Sequence, residues 1–418
     1  MNIDFSYASQ LDANDSLARF RDRFIIPVKD NREQIYFLGN SLGLQPKSTA
    51  AHIQQVLGQW AQEGVEAFFR TDNSWMHFHD RLVGPLSSIT GALPSEIVVM
   101  NQLTVNLHLM MVSFYRPEGK RRKILCEAKA FPSDQYMFET HLKSMGLNPD
   151  EILIELAPRS GEHLIRAEDI ARAIEETGDE LALVLWGGVN YYTGQVFDLA
   201  SITRQAQAVG AKVGFDLAHG VGNIALALHD WNVDFACWCS YKYLNSGPGA
   251  IAGAYIHERY HKDPSIYRLG GWWGYEKETR FKMEKGFRPI QTAEGWQLST
   301  PSPIMYAAHL ASLEIFEEAG FANCLEKARN MAAYLHELLS RLVAERSGKF
   351  EILTPADLAA RGCQVSLFVK QDGRALFDYL TENGIFADWR EPDVIRVAPV
   401  PLYNRFSEIA RFVELLGR

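Results

Sequence analysis

A lysine flanked by two tyrosines, Tyr241-Lys242-Tyr243, directly follows the apolar run FACWCS at 235–240. Lysines are rarely placed where their ammonium would lose water. A desolvated lysine is the residue type that condenses with a carbonyl, although a stem that snorkels to solvent fits the same spacing. Three other apolar runs end on polar residues. KVGFD (212–216) ends in Asp216, followed by Leu217, Ala218 and His219, and an acid there costs desolvation unless a cation or several donors meet it. KILCEA (123–128) leads into Phe131-Pro132-Ser133-Asp134, read as a buried aromatic before a polar turn and a helix. EIVVM (96–100) leads through Asn101, Gln102 and Leu103 to Thr104 and the helical stretch VNLHLMMVSFY. Thr104 is then expected as the N-cap, beside free amides suited to an anion. Each feature alone also has a plain structural reading as a cap, a turn or a paired carboxylate.

Together the four run ends meet the requirements of one cofactor. A pyridine aldehyde phosphate needs an amine to hold the aldehyde and a carboxylate to keep the ring nitrogen protonated. It also needs an aromatic ring to stack on, and hydroxyls with a helix N-terminus for the phosphate. Lys242, Asp216, Phe131 and Thr104 answer those needs in that order, which points to pyridoxal phosphate. A charge-assisted bond from Asp216 would keep the ring an electron sink.

The elements that must position these residues form an α/β pattern. Further strand candidates are EILIEL (151–156), LALVLW (181–186) and IAGAYI (251–256), separated by helical stretches such as DLASITRQAQAVG. The strands are continuous apolar runs, as expected when helices cover both faces of a mostly parallel sheet. In such a sheet ligands bind beyond the carboxyl ends of the strands, where the four polar ends lie. From Pro301 the texture changes to one long amphipathic helix (304–345), the strand CQVSLFV (363–369), a helix near 373–383 and a final helix after Tyr403. The expected organisation is an amino-terminal segment, 1–60, packing across a large cofactor domain, 61–300, and a small α+β domain, 301–418.

The chain of 418 residues is 47% hydrophobic and 22% charged, with a net charge of −9, a composition that excludes a disordered or collagenous chain. The acidic balance offers no basic face for nucleic acid, and the cluster Lys120 to Lys123 reads as a solvated turn before a strand. No run approaches a membrane span, and the start MNIDFSYASQLDANDSLARF lacks the apolar stretch of a secretory signal. Five scattered cysteines suggest free thiols in a reducing compartment. These features together predict a cytoplasmic enzyme, with no metal site apparent. Gly247-Pro248-Gly249 with Gly253 resembles a dinucleotide fingerprint, but that motif should open a helix and here precedes an apparent strand. Cys363 could offer a catalytic thiol, yet it begins a strand and reads as a buried structural residue.

At the level of whole motifs the chain resembles the kynureninase family of fold type I pyridoxal phosphate hydrolases. The resemblance rests on YFLGNSLGLQPK (36–47), LTVNLHL (103–109), EAKAFPSD (127–134), GVNYYTGQ (188–195), GFDLAHGVGN (214–223), DFACWCSYKYLNSGPGAIAGAYIHE (234–258), GWWGYE (271–276) and IRVAPVPLYN (395–404). It implies a fold type I large domain with a seven-stranded sheet and an active site at a homodimer interface. It also implies Lys242 as the lysine that carries the cofactor and Asp216 as partner of the pyridine nitrogen. Leu103, Thr104, Phe131, Pro132, Ser133, Asp134, His219 and Tyr241 would line the cofactor, with Trp272 and Thr300 supplied across the interface. Arg396 would clamp the substrate carboxylate, and Tyr241 would donate a proton late in the reaction. The implied reaction is hydrolysis of kynurenine or 3-hydroxykynurenine at Cβ–Cγ to alanine and anthranilate or 3-hydroxyanthranilate, in tryptophan degradation or the route to NAD. Other fold type I activities, aminotransferase or desulfurase, and a non-catalytic cofactor-binding role are the alternatives, disfavoured by GWWGYE and FPSD and by intact Lys242, Asp216 and Arg396 respectively. Where animal members carry a histidine and an asparagine against the aryl group, this chain has Phe68 and Thr300. An apolar residue in place of a donor should weaken preference for the 3-hydroxyl. Gly187 stands where members can carry a small hydroxyl residue, and is not expected to bind the cofactor.

Overall fold

The computed structural model describes residues 3–70, 74–346 and 348–418. Its largest element is a seven-stranded sheet built from β1 (Ile97–Val99), β2 (Lys123–Glu127), β3 (Leu153–Leu156), β4 (Leu181–Gly187), β5 (Lys212–Asp216), β6 (Phe235–Trp238) and β7 (Gly253–Ile256). Their spatial order is β1-β7-β6-β5-β4-β2-β3, with β7 antiparallel to both neighbours and the pairs from β6 to β3 parallel. Successive residues alternate between two buried layers. Leu125, Val184, Trp186, Val213, Phe215 and Trp238 enter one core; Ile124, Cys126, Leu183, Leu185, Phe235 and Cys237 enter the other. The helices that cover these faces include α1 (Leu103–Phe114), α2 (Pro132–Ser144), α3 (Ala167–Thr177) and α4 (Leu199–Ala208). Two-sided burial is why the strands read as unbroken apolar runs.

β7 also settles the glycine motif. Gly253 lies within the strand opposite Trp238, and a Cβ there would stand 2.3 Å from the indole. Gly247 and Gly249 lead into that strand rather than into a helix, so the dinucleotide reading fails.

The stretch 304–345, expected as one helix, is two: α5 (Pro303–Ala319) and α6 (Phe321–Glu345), broken at Gly320 with φ 74°. Only glycine adopts that backbone cheaply, and it redirects the chain. After α6 comes a second sheet of β8 (Phe350–Ile352), β9 (Val365–Val369), β10 (Asp388–Arg390) and β11 (Val394–Val397), in the order β8-β9-β11-β10. Its apolar face packs Val365, Leu367, Ile395 and Val397 against Leu335, Leu338 and Leu342 of α6 and Ile409 and Val413 of α8 (Phe406–Leu416). The helix α7 (Gly373–Glu382) precedes β10.

Amino-terminal residues enter both cores, Phe24 and Leu44 beside the seven-stranded sheet and Phe37 beside the second sheet. Ile35–Tyr36 pairs in parallel with Ile385–Phe386, and the Gly43 amide donates to the Tyr241 carbonyl at 2.8 Å. The turn after β4 meets the second sheet and its connections: the Val196 amide donates to the carbonyl of Ala360, in the helical turn between β8 and β9, at 2.9 Å. The Ser366 hydroxyl donates to the Tyr192 carbonyl at 2.6 Å. Among the described residues no helix is long and apolar enough to cross a membrane.

Candidate active site

Register brings the polar strand ends together. Gly187 of β4 is paired with Asp216 of β5, and Asp216 with Cys237 of β6, so the chain leaves all three strands at one level. A cavity opens beyond that level, lined by Leu103, Thr104, Phe131, Ser133, Asp134, Asp216, His219, Tyr241 and Lys242. Glu127, Gly187 and Asn190 also face it. Nine of the residues expected from the sequence therefore share one wall.

Lys242 is buried, and its Nζ lies 5.8 Å from the ring centre of Phe131 and 5.9 Å from that of Tyr241. Asp216 accepts the Ala218 amide at 2.7 Å through Oδ1. Burial pushes its carboxyl up, against the Ala218 amide, the Lys242 charge and a hydrogen bond from Asp134. Asp134 is pushed well up by burial and by the Asp216 charge and hydrogen bond. Two buried carboxylates in contact do not both ionise, so the pair holds one proton, and the stronger upward push on Asp134 favours it there. Burial and the charges of Lys242, Arg396 and Arg390 hold His219 well below the usual histidine range, as a neutral imidazole. Burial likewise raises the Tyr241 phenol, which stays protonated at neutral pH.

Two expectations need correction. Thr104 is not the N-cap: α1 begins at Leu103 with Gln102 as its cap, in extended geometry and without a capping side chain. The turn is made earlier, at Asn101 with φ 49°, whose side chain donates to Asn106 at 3.0 Å. Leu103 and Thr104 are the first two helical residues, so their amides have no intrahelical acceptor. Phe131, expected to be buried, is 39% exposed. It caps α2, with Pro132 as the first helical residue, and its ring meets Tyr191 edge-on at 5.3 Å. Pro132 itself is absent from the cavity lining and serves to start the helix.

Glu127, the last residue of β2, was not anticipated. It accepts the Gly187 amide at 3.0 Å and the Asn190 side-chain amide at 2.8 Å. Burial pushes its carboxyl up to about 7.

Arg396 of β11 is buried. Its Nε donates to Asp388 Oδ2 at 2.7 Å, Nη2 donates to the same oxygen, and Nη1 donates to the Tyr191 carbonyl. Three of five guanidinium N–H groups are thus engaged, leaving two, one on each terminal nitrogen, and Arg396 stands behind the cavity rather than in its lining. Phe68, Trp272 and Thr300 do not line this cavity within the single chain. Phe68 packs edge-on against Trp75 and Trp273 at 5.1 and 6.0 Å. Trp272 is 46% exposed and Thr300 is also exposed.

The donor set fits a pyridine phosphate. Asp134 Oδ1 and His219 Nδ1 are buried without a hydrogen-bond partner, as expected where a polar ligand completes the shell. A carboxylate for the ring nitrogen, an amine, a half-exposed ring and free helix-start amides surround the same space. Cys363 offers no competing chemistry: it is buried, and burial pushes its thiol up to about 12.

Over residues 326–416 the chain matches the family model described as the kynureninase C-terminal domain. It is 53% identical to the kynureninase of Flavobacterium johnsoniae over 412 residues, covering 99% of this chain and 97% of that one. The kynureninase of Stenotrophomonas maltophilia is 51% identical, covering 98% and 96%. The chain belongs to the kynureninase family. Among solved structures, the cystine C–S lyase C-DES in complex with cysteine persulfide superposes with a TM-score of 0.76 at 19% identity, covering 92% of this chain and 97% of that one. The Escherichia coli cysteine desulfurase CsdA gives 0.74 at 17%, covering 96% and 97%. Those two likenesses establish the fold type I architecture, while the kynureninase relatives distinguish this chain from the lyases and desulfurases that share it. In this kynureninase family chain the motif EAKAFPSD spans both ends of one wall: Glu127 closes the strand and Asp134 enters the helix beside it.

Proposed function

We propose that this protein hydrolyses kynurenine at the Cβ–Cγ bond to alanine and anthranilate, using pyridoxal phosphate held by the residues above. The observation that carries the reading is the convergence of Lys242, the Asp216–Asp134 pair and Phe131 on one cavity at the carboxyl ends of parallel strands. When bound, the cofactor supplies an electron sink for negative charge at the substrate carbons. Asp216 holds a proton at the ring nitrogen, which requires the pair's negative charge to stay on that residue. Asp134, as the neutral member, donates to Asp216. Leu103, Thr104 and Ser133 present amides and hydroxyls to the phosphate, and His219 contributes neutral imidazole.

Lys242 carries the cofactor and moves the proton at the substrate Cα. Tyr241, a neutral phenol at the same wall, donates a proton to the substrate Cβ, which keeps the bonding electrons when the aryl carboxylate leaves. Arg396 offers its two remaining N–H groups to the substrate carboxylate, held in orientation by Asp388 and the Tyr191 carbonyl. The chain is read as a homodimer in which Trp272 and Thr300 complete the partner's cavity. Support comes from a contiguous exposed aromatic surface in which Trp272 meets Phe281 at 5.5 Å and Phe69 meets Phe281 at 5.4 Å. Five buried free cysteines support a cytoplasmic setting.

Phe68 lies half-buried behind that surface, 6.5 Å from Phe69, and supplies no hydrogen bond for a 3-hydroxyl group. The purified protein is expected to elute at twice the 47.2 kDa chain mass and to release alanine and anthranilate in equal amounts from kynurenine. Its kcat/KM for kynurenine should equal or exceed that for 3-hydroxykynurenine. Elution at the single-chain mass would refute the pairing, absence of anthranilate would refute the reaction, and a strong preference for the 3-hydroxy substrate would refute the role of Phe68.

A further inference from the structure

Glu127 takes no part in the chemistry above, yet it is a buried acid on the cavity wall with both carboxylate oxygens engaged. One partner is the Gly187 amide. A Cβ on residue 187 would stand 2.5 Å from Glu127 Oε1, so the carboxylate occupies space that a side chain at 187 would fill. The other partner, Asn190, organises the turn that follows. Its Oδ1 accepts the Tyr192 amide at 3.0 Å, the Thr193 amide at 2.9 Å and the Thr193 hydroxyl at 3.1 Å. That turn carries the Tyr191 carbonyl, which accepts from Arg396 and from Gln364 Nε2, the latter at 3.0 Å. Thr354 Oγ1 donates to the Thr193 carbonyl at 2.5 Å. The turn is therefore the place where the second sheet grips the strand ends of the first.

We propose that Glu127 is a positioning residue for substrate recognition: it fixes the Asn190 turn against the cofactor wall, and so sets where the Arg396 fork stands, in a niche that glycine at 187 leaves open. This rests on the kynureninase reading for its substrate but on the hydrogen-bond chain alone for its structural part. A glutamine at 127 keeps the shape and still accepts from Gly187. Its amide then faces the Asn190 amide, donor against donor, and an Asn190 flip would forfeit the three bonds at Oδ1. An alanine at 187 would displace the carboxylate by sterics instead.

The test combines steady-state kinetics with hydrogen exchange on the cofactor-loaded protein. Glu127→Gln and Gly187→Ala should each raise KM for kynurenine roughly tenfold while kcat changes less than about threefold. The double variant should be no worse than either single one, because both break the same link. Amides of residues 190–194 should lose protection roughly tenfold in each variant, with β4 and β5 unchanged. Unchanged exchange at 190–194 would overturn the proposal whether or not kynurenine is cleaved. So would additive effects, or a fall in kcat at constant KM. Failure of the wild-type protein to cleave kynurenine would instead refute the functional reading, leaving the exchange result to decide the structural link.

Discussion

Lys242→Ala is expected to lower kcat for kynurenine by roughly 10⁴-fold, because in the proposed reaction this one residue would supply both the covalent attachment and the proton transfer. The loss should not come from unfolding. Lys242 is buried at the cavity wall, and its removal truncates a flexible stem into an existing space. The remaining acids do not become an unpaired double charge, since Asp134 keeps its proton beside Asp216. Thermal melting within a few degrees of wild type, together with partial recovery of activity on adding a small primary amine, would separate lost chemistry from lost structure. Activity within tenfold of wild type would contradict the role given to Lys242.

The second large effect is expected at Asp216. Asp216→Asn preserves volume and an oxygen acceptor for the Ala218 amide, so the turn after β5 should hold. What it removes is the negative charge. Deleting one partner of a buried charge pair costs about 3–5 kcal/mol, and most of that should appear as lost transition-state stabilisation, roughly 10²- to 10³-fold in kcat. The carboxyl of Asp134 should fall back toward its ordinary range, because the neighbouring charge that helps raise it is gone. Steady-state kinetics with cofactor in excess measures the effect. A change of less than threefold would mean that Asp216 does not govern the ring nitrogen.

Much of this site is legible from residue type and position along the chain. Lys242 and Asp216 are charged residues at the ends of apolar runs, and such placement is costly enough to mark function before any register is known. The same reasoning applies to Glu127. What hides it is that the apolar run KILCEA extends one residue past the acid to Ala128, so that Glu127 looks like an interior strand residue. The Asp388–Arg396 contact was illegible for a different reason. It depends on antiparallel register between β10 and β11, which sets the two residues opposite each other. Thr104 looks like the cap of α1 because it is a good capping residue by type. The chain turns at Asn101, and Gln102, which takes the cap position, does not announce a helix start by its side chain. The break at Gly320 was available in principle: a glycine within an amphipathic stretch is a stop signal. The long continuation of apolar spacing on either side hid it. Trp272, Thr300 and Phe68 lie beyond the cavity of the single chain, and the proposed pairing of two chains is what would bring Trp272 and Thr300 to it.

Whether Lys242 carries pyridoxal phosphate at this cavity is tested most directly by borohydride reduction of the cofactor-loaded protein, followed by proteolysis and peptide mass measurement. The predicted result is a single stable phosphopyridoxyl group on Lys242, with loss of the visible absorbance and of kynurenine cleavage. A spectrum unchanged by borohydride, or a modified lysine elsewhere in the chain with Lys242 untouched, would contradict it.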